Sequence, residues 1–279
     1  MKKSSIIWLS ILFGTLLIAG LLFGVVFCPR NQHVTVLGKG KIDFSKQAII
    51  KTANIKKTKS IFLIDKQQAI NNIEQTYPNV KVVHIKTTGL NTIDIQVRLR
   101  YEMFYMQIED NYYILDEDLK VLEIRSAEDI ITHPINDLIQ ITEGLTNITT
   151  STKICDFVGD GWQSGATRNM YLGMVSAVEK TEGSEEVYFD RDDVKESIKE
   201  IKFEQFDTFN KVILTTKYGV KLDIENPNED MTYKINACFT LINTFIENES
   251  GEHLDKEKSG TIKIFYNLED KIQMQYIAD

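Results

Sequence analysis

The sequence predicts an α+β protein with an N-terminal transmembrane helix, a β-α-α-β-β module and then a mostly antiparallel β domain with a late helix. Three observations support this fold class. Ile6–Phe27 runs for 22 residues without a charged side chain. Residues 33–101 alternate between helical and period-two apolar patterns. Residues 102–279 contain short strand patterns separated by tight polar turns, which is typical of antiparallel hairpins.

The apolar segment at residues 6–27 is long enough to cross a membrane. As a helix, it would span about 33 Å, against a bilayer core of roughly 30 Å. The alternative is a cleaved signal peptide, whose apolar core is usually about 7–15 residues and ends in small residues. Here Phe27 directly precedes Cys28. These features favour a retained transmembrane helix.

Charges around this helix predict its orientation. Lys2 and Lys3 precede it, and basic flanks tend to remain in the cytoplasm. We therefore expect residues 1–5 to form a cytoplasmic tail and the domains after the helix to be extracytoplasmic. Gly20 and Gly24 have the G-x-x-x-G spacing that allows two membrane helices to approach closely, and we therefore expect transmembrane pairing there.

Composition narrows the classes of partner. The region after Phe27 carries all 40 acidic residues but only 30 of the 32 basic ones. Such an excess of negative charge argues against both nucleic acid and anionic lipid as partners, because binding to either needs basic patches. The length suggests two domains. Cys155 and Cys238 fit either two thiols or a single disulfide bond, and the sequence leaves both open.

The module at residues 33–101 is predicted from caps and periodicity. Asp43 or Ser45 can cap a first helix, and Asp65 with Gln68 has the spacing of a capping box for a second. Ile93, Ile95 and Val97 alternate with polar residues, as in a strand with one buried face. The predicted strands are His33–Leu37, Val80–Lys86 and Thr92–Leu99, and the predicted core includes Val36, Ile50, Ile70, Ile73, Val82, Ile93, Ile95 and Val97.

The second domain is predicted as a series of hairpins followed by a late helix. Its predicted strands are Met103–Ile108, Tyr112–Leu115, Leu119–Ile124, Phe209–Thr215, Val220–Ile224, Thr261–Tyr266 and Ile272–Tyr276. Met231–Asn248 has apolar residues at helical spacing. Between the two groups of strands, Ile130–Ile141 and Asp192–Ile198 are interpreted as partly helical and residues 159–165 as a loop.

No pattern in the sequence points to catalysis. His33, His84, His133 and His253 form no pair at metal-ligand spacing. No nucleophile elbow, phosphate-binding loop or dinucleotide-binding glycine motif is present. The sequence therefore predicts no enzyme activity, no catalytic residue, no metal and no cofactor.

Several short motifs, taken in order, resemble one protein family. They are Val34-Thr35-Val36-Leu37-Gly38, Tyr77-Pro78-Asn79-Val80, Thr92-Ile93-Asp94-Ile95-Gln96-Val97, Ile198-Lys199-Glu200-Ile201 and Gly219-Val220 with Leu222 and Lys234. With the single anchor, they resemble the FtsQ/DivIB family of bacterial cell-division proteins, in which the first module is called POTRA. Two departures are the Gly89-Leu90-Asn91 turn, where the family has proline, and Lys263-Ile264-Phe265-Tyr266, which matches only at the aliphatic and aromatic positions.

The resemblance implies a non-enzymatic scaffold of the divisome in the plasma membrane at the division septum. Its implied partners are FtsL-like and FtsB/DivIC-like single-pass proteins and, through them, the septal peptidoglycan synthase. It places the partner contact on the strand at residues 261–266. If that strand lies near the sheet edge, a partner can add a strand to it. The expected partner-binding residues are Thr261, Ile262, Ile264 and Tyr266.

Two other functions remain open. One is a membrane-anchored extracytoplasmic cell-wall enzyme, which would need a nucleophile and a base that no motif in the sequence supplies. The other is a POTRA-type component of secretion or envelope assembly, which usually carries several POTRA repeats. The sequence does not define stoichiometry or the orientation of the two domains.

Overall fold

The computed structural model describes residues 11–16, 20, 27–37, 44–176, 191–217, 219–235, 237–238, 260–266 and 272–278. The chain divides into two compact units, Met1–Arg100 and Tyr101–Asp279. Each unit has its own hydrophobic core.

The first unit contains a three-stranded sheet. Its strands are β1 (Asn31–Leu37), β2 (Val80–Thr88) and β3 (Thr92–Leu99), in the order β1-β3-β2. β1 is parallel to β3, with Asn31 opposite Thr92, and β2 is antiparallel to β3. The alternation predicted for β3 is confirmed, since Ile93, Ile95 and Val97 are all buried.

Two helices, α1 (Lys46–Ala53) and α2 (Lys66–Thr76), lie between β1 and β2 in the chain, with a single 3-10 turn at Ile61–Leu63 between them. The Ser45 hydroxyl accepts a hydrogen bond from the Ala48 amide, and the Asp65 carboxylate accepts one from the Gln68 amide. Each side chain thus satisfies an amide of the first helical turn that has no partner within the helix. Both predicted caps are confirmed.

The core of the first unit matches most of its predicted members. Ile73, Val82 and the three apolar residues of β3 are buried, whereas Val36, Ile50 and Ile70 are partly buried and pack against them. Arg100, directly after β3, joins α2 and the start of β2. Its Nη2 atom lies 2.8 Å from Glu74 Oε2 in an ion pair, and its Nε atom donates a hydrogen bond to the Val80 carbonyl.

The second unit is built on a nine-stranded sheet. Its order is β12-β11-β10-β9-β8-β7-β4-β5-β6. The pairs β10–β11, β7–β8 and β4–β7 are parallel, and the other neighbouring pairs are antiparallel. The strands are β4 (Phe104–Ile108), β5 (Asn111–Leu115), β6 (Val121–Ser126), β7 (Ile139–Glu143), β8 (Ile198–Gln205), β9 (Asn210–Thr216), β10 (Val220–Glu225), β11 (Gly260–Tyr266) and β12 (Ile272–Ala278).

Helical segments connect these strands. They are α3 (Asp129–Thr132), α4 (Gly161–Ser176), α5 (Arg191–Ser197) and helical residues at 231–235 and 237–238. Apolar side chains of α4 and of the 231–238 segment join the core formed by the sheet. The remainder of the predicted late helix, Met231–Asn248, lies outside the described residues.

Of two predictions for the middle of the chain, one is wrong. Residues 159–165 were expected to form a loop, but α4 begins at Gly161. Ala166, Met170 and Met174 follow at four-residue spacing and are buried, so packing outweighs the low helix propensity of the three glycines in α4. The partly helical interpretation of Ile130–Ile141 is confirmed, since α3 covers its first residues and ends at Thr132, two residues before Pro134, and β7 follows.

Most of the apolar segment at residues 6–27 lies outside the described part of the chain, and so does Gly24. Residues 11–16 and Gly20 are helical. Most of them are exposed, including Phe13 and Leu16. In the described residues, no helix has both the length and the apolar character to cross a membrane.

Candidate partner-binding strand

The strand expected to bind a partner is β11, and it is not at the sheet edge. It pairs in parallel with β10, with Leu222 opposite Ile262, and antiparallel with β12, with Ile262 opposite Tyr276. Both sides of its backbone are therefore already paired. The sequence made strand addition at residues 261–266 conditional on a position near the sheet edge, and β11 lies one strand inside the outermost described strand, β12. Its pairing with β10 is parallel and therefore non-local, a contact that periodicity does not show.

The four expected partner-binding residues separate into two groups. Ile262 and Ile264 are fully buried in the core of the second unit. Thr261 and Tyr266 are partly exposed, and Lys263 between them is exposed. The aliphatic pair thus holds β11 in the domain, and only the other two side chains reach the surface. A role of these residues in partner binding stays a prediction.

Tyr266 is held by two groups from the segment that follows β10. Its hydroxyl donates a hydrogen bond to Asp230 Oδ2 at 3.0 Å. Lys234 Nζ lies 4.5 Å from the centre of the Tyr266 ring, within the range of a cation–π interaction. These contacts fix the ring at the end of β11, so its exposed edge has a defined orientation.

Lys234 is a buried cation with a structural role. Its ammonium group donates hydrogen bonds to the carbonyl oxygens of Glu225 and Asn226 at 2.8 and 3.0 Å. Burial lowers the pKa of Lys234, whereas the charges of Glu229, Asp230 and Glu225 oppose that shift. The lysine thus joins the end of β10 to the Tyr266 ring.

The first residue of β11 is glycine because a ring occupies the space of a side chain. A Cβ on Gly260 would lie 2.7 Å from Cζ of the Tyr276 ring, which is too close for a carbon–carbon contact. The Tyr276 ring packs against the main core. The ring therefore lies against the beginning of β11, where Gly260 pairs with Ala278.

Among the described residues, β12 is the outermost strand on this side of the sheet. Met274 lies opposite Ile264 and continues its row of side chains toward the edge. It is 41% exposed, although Ile264 beside it is fully buried. β12 therefore offers an outer backbone edge next to a partly uncovered apolar side chain.

Metal binding and disulfide formation are the other two kinds of chemistry considered for the described residues. In the part of the chain that the structure describes, no three His, Cys, Asp or Glu side chains come together as a metal site would require. Cys155 and Cys238 carry thiols rather than a disulfide bond, and burial raises the pKa of Cys238.

Sequence reasoning missed the residues that position β11. Lys234 was recognised only as a motif position, and its buried hydrogen bonds were not expected. Asp230, Gly260 and Tyr276 were not singled out at all. The available signal was the position of Lys234 directly before Ile235, a residue of the apolar helix face. A lysine buried at such a position needs hydrogen-bond acceptors nearby, so its contacts with carbonyl oxygens could have been expected.

Comparisons with known proteins agree with the fold of the first unit. Residues 32–98 match the family model described as POTRA domain, FtsQ-type. The cell division protein DivIB of Clostridium acetobutylicum is 39% identical over 77 residues, which cover 28% of this chain and 30% of that protein. The protein of the same name from Clostridium botulinum strain Hall is 31% identical over 87 residues, covering 31% of this chain and 34% of that protein.

The matched segments span about a third of the length of these curated relatives. The β-α-α-β-β order of the first unit, its sheet order β1-β3-β2 and the domain match fall on the same residues. The chain therefore carries an FtsQ-type POTRA domain, and its resemblance to the FtsQ/DivIB family of cell-division proteins is confirmed.

Proposed function

We propose that this protein is a non-enzymatic scaffold of the bacterial divisome, anchored in the plasma membrane at the division septum. The observation that carries the proposal is the FtsQ-type POTRA match at residues 32–98, together with curated relatives named cell division protein DivIB. The proposed domains are a cytoplasmic tail at 1–5, a membrane helix at 6–27, the POTRA module at 33–101 and the β domain at 102–279.

The anchor proposal is supported by the apolar segment that precedes the POTRA module. Ile11, Leu12, Phe13 and Leu16 lie on helical residues and are exposed, as lipid-facing side chains would be. Basic residues before the segment favour a cytoplasmic N-terminus and extracytoplasmic domains. Pairing through Gly20 and Gly24 remains part of this proposal.

The proposed partners are FtsL-like and FtsB/DivIC-like proteins, which would connect the scaffold to the septal peptidoglycan synthase. Because β11 is paired on both sides, we place strand addition on the outer edge of β12. A segment added there would hydrogen bond to the outer backbone edge of β12, beside which no other described strand lies, and would cover Met274. Thr261 and Tyr266 would contribute from the exposed surface, and Ile262 and Ile264 would support β11 from the core.

Binding measurements with two matched variants test this mode. Met274→Asp places a charge on the face that the added strand would cover, whereas Gln273→Asp places the same charge on the opposite face of β12. We expect Met274→Asp to weaken binding of the outer segment of the FtsB/DivIC-like protein about tenfold or more, as for an interface hot spot. Gln273→Asp should change it little. Equal affinities for both variants would mean that the partner binds elsewhere.

Depletion of the protein tests the role in division itself. If it is a divisome scaffold, cells that lose it should keep growing and segregating chromosomes while septa fail to form, so they lengthen into filaments. Restoring the full chain should restore septa. Cells that divide normally after depletion, or that lose wall integrity along their whole length, would contradict the division role and favour an envelope or cell-wall function.

A further inference from the structure

Three loops of the POTRA module meet at the end where the chain leaves the apolar segment. Arg30 and Asn31 both donate backbone hydrogen bonds to the Asn91 carbonyl, which brings the β2–β3 turn to the start of β1. Gln32 Nε2 donates to the Ile55 carbonyl at 3.1 Å, which brings the loop after α1 to the same place.

The 3-10 turn at Ile61–Leu63 reaches the apolar segment itself. The Ile61 amide donates to the carbonyl of Phe27, the last residue of that segment, at 2.8 Å. The rings of Phe27 and Phe62 pack with their centres 5.3 Å apart. The turn thus lies directly beside the point where the apolar segment ends.

Large apolar side chains at this end are left exposed to solvent. Phe62 and Leu63 are each 65% exposed, and Leu90 at the tip of the β2–β3 turn is 57% exposed. They belong to two loops that are far apart in sequence but that the hydrogen bonds described above hold at one end of the module. An apolar patch at such a place indicates a surface that is covered in the working protein.

The charges next to these side chains are basic. Lys56, Lys57 and Lys59 occupy the loop that leads into the 3-10 turn and are exposed, and so is Arg30. The acidic groups nearby have local roles: Asp65 caps α2, and Asp94 accepts a hydrogen bond from Thr88. Exposed apolar side chains beside a basic cluster are the composition that binds the headgroup region of an anionic bilayer.

We propose that this end of the POTRA module, the membrane-facing end formed by residues 54–63 and 89–91, docks on the anionic lipid surface next to its own anchor. Phe62, Leu63 and Leu90 enter the interfacial layer, and Lys56, Lys57 and Lys59 bind lipid phosphates. The proposal rests on the proposed anchor at residues 6–27. Docking would restrict the tilt of the module relative to the membrane and therefore the height at which it presents its other surfaces.

The full chain, reconstituted in vesicles of phosphatidylglycerol and phosphatidylcholine, provides the test. Cys28 and Cys155 are replaced by serine, and an environment-sensitive fluorophore is attached at Leu63→Cys or Leu90→Cys. The matched control is Val83→Cys, since Val83 is also an exposed apolar residue of this module, at 43%. Val83 lies between Val82 and His84, which pair with Val97 and Gln96 of β3. These β3 residues are four to five positions from Thr92, where β3 leaves the membrane-facing end, so Val83 lies about 15 Å from that end.

We expect quenchers attached to the lipid chains to remove most of the emission from the labels at 63 and 90 but little from the label at 83. Replacing Lys56, Lys57 and Lys59 with glutamine should shift the ratio of docked to undocked module by about a hundredfold. It should thereby restore emission at 63 and 90. Vesicles of phosphatidylcholine alone should have the same effect as the lysine replacements.

Equal, weak quenching at all three positions in chains that float with the vesicles would overturn the docking proposal and leave the anchor intact. Chains that fail to float would overturn the anchor and the docking proposal together. Emission changes that depend on the number of protein chains per vesicle instead of on lipid charge would also overturn the docking proposal, because the patch would then be an interface between copies of this chain. The division role is tested separately by depletion.

Discussion

The alternation of buried and exposed residues in β11 makes a quantitative prediction for Ile264→Ala. Ile264 is fully buried in the core of the β domain, and its neighbour Lys263 is exposed. Removing a fully buried isoleucine side chain beyond Cβ costs about 2–5 kcal/mol, because transfer free energy is lost and a cavity remains. Lys263→Ala removes an exposed side chain and should change the free energy of unfolding by less than about 0.5 kcal/mol.

Trp162 supplies a specific assay for this comparison. It is the only tryptophan after residue 27, it lies on α4, and its ring packs edge-on against Phe203 at 5.6 Å. In a fragment of residues 28–279, its emission during urea unfolding therefore reports on the β domain. A loss of about 3 kcal/mol with a slope of about 2 kcal/mol per molar urea lowers the midpoint by about 1.5 M.

The control defines the outcome that refutes the reasoning. Lys263→Ala should move the midpoint by no more than about 0.25 M on the same scale. If the two variants shifted the midpoint equally, or if Lys263→Ala shifted it more, the face assigned to the core would be wrong. The placement of β11 between β10 and β12 would then fail with it.

Four further predictions address other contacts. Ile95→Ala should destabilise the POTRA fragment 28–101 by about 2–5 kcal/mol, seen as a lower midpoint in thermal unfolding by circular dichroism. Tyr266→Phe removes the hydrogen bond to Asp230 and should cost about 1 kcal/mol in the Trp162 assay. Gly144→Ala should cost more than about 1 kcal/mol in that assay, because φ is +81° and the new Cβ would overlap the Phe203 carbonyl. Burial lowers the pKa of Lys234 in the folded chain below its ordinary 10.5. Between the lowered pKa and the ordinary one, the unfolded chain binds more protons than the folded chain, so the free energy of unfolding rises with pH. Lys234→Met should lose this increase when urea midpoints at neutral and alkaline pH are compared.

Local patterns were sufficient to predict the POTRA module. Asp65 and Ser45 are caps whose partners lie within three residues, and Ile93, Ile95 and Val97 carry the period of a strand buried on one face. Such signals depend only on neighbouring residues. The sequence therefore indicates the elements of this unit and most of its core without any knowledge of distant contacts.

The environment of β11 could not be predicted in the same way. Whether residues 261–266 lie at an edge depends on β10 pairing in parallel with β11, and no local pattern specifies the neighbour of a strand. Residues 159–165 were predicted to form a loop, but Ala166 and Met170 gain enough burial to keep α4 helical from Gly161 onward, although glycines weaken helices. Tertiary contacts decide both cases.

The proposed role as a divisome scaffold is tested most directly by the position of the protein in dividing cells. A fluorescent protein fused to the N-terminus of the full chain, which the proposal places in the cytoplasm, leaves the POTRA module and the β domain unaltered. The account predicts a ring at mid-cell that appears before constriction and disperses after separation. A uniform signal around the whole membrane at every stage of the cell cycle would contradict it.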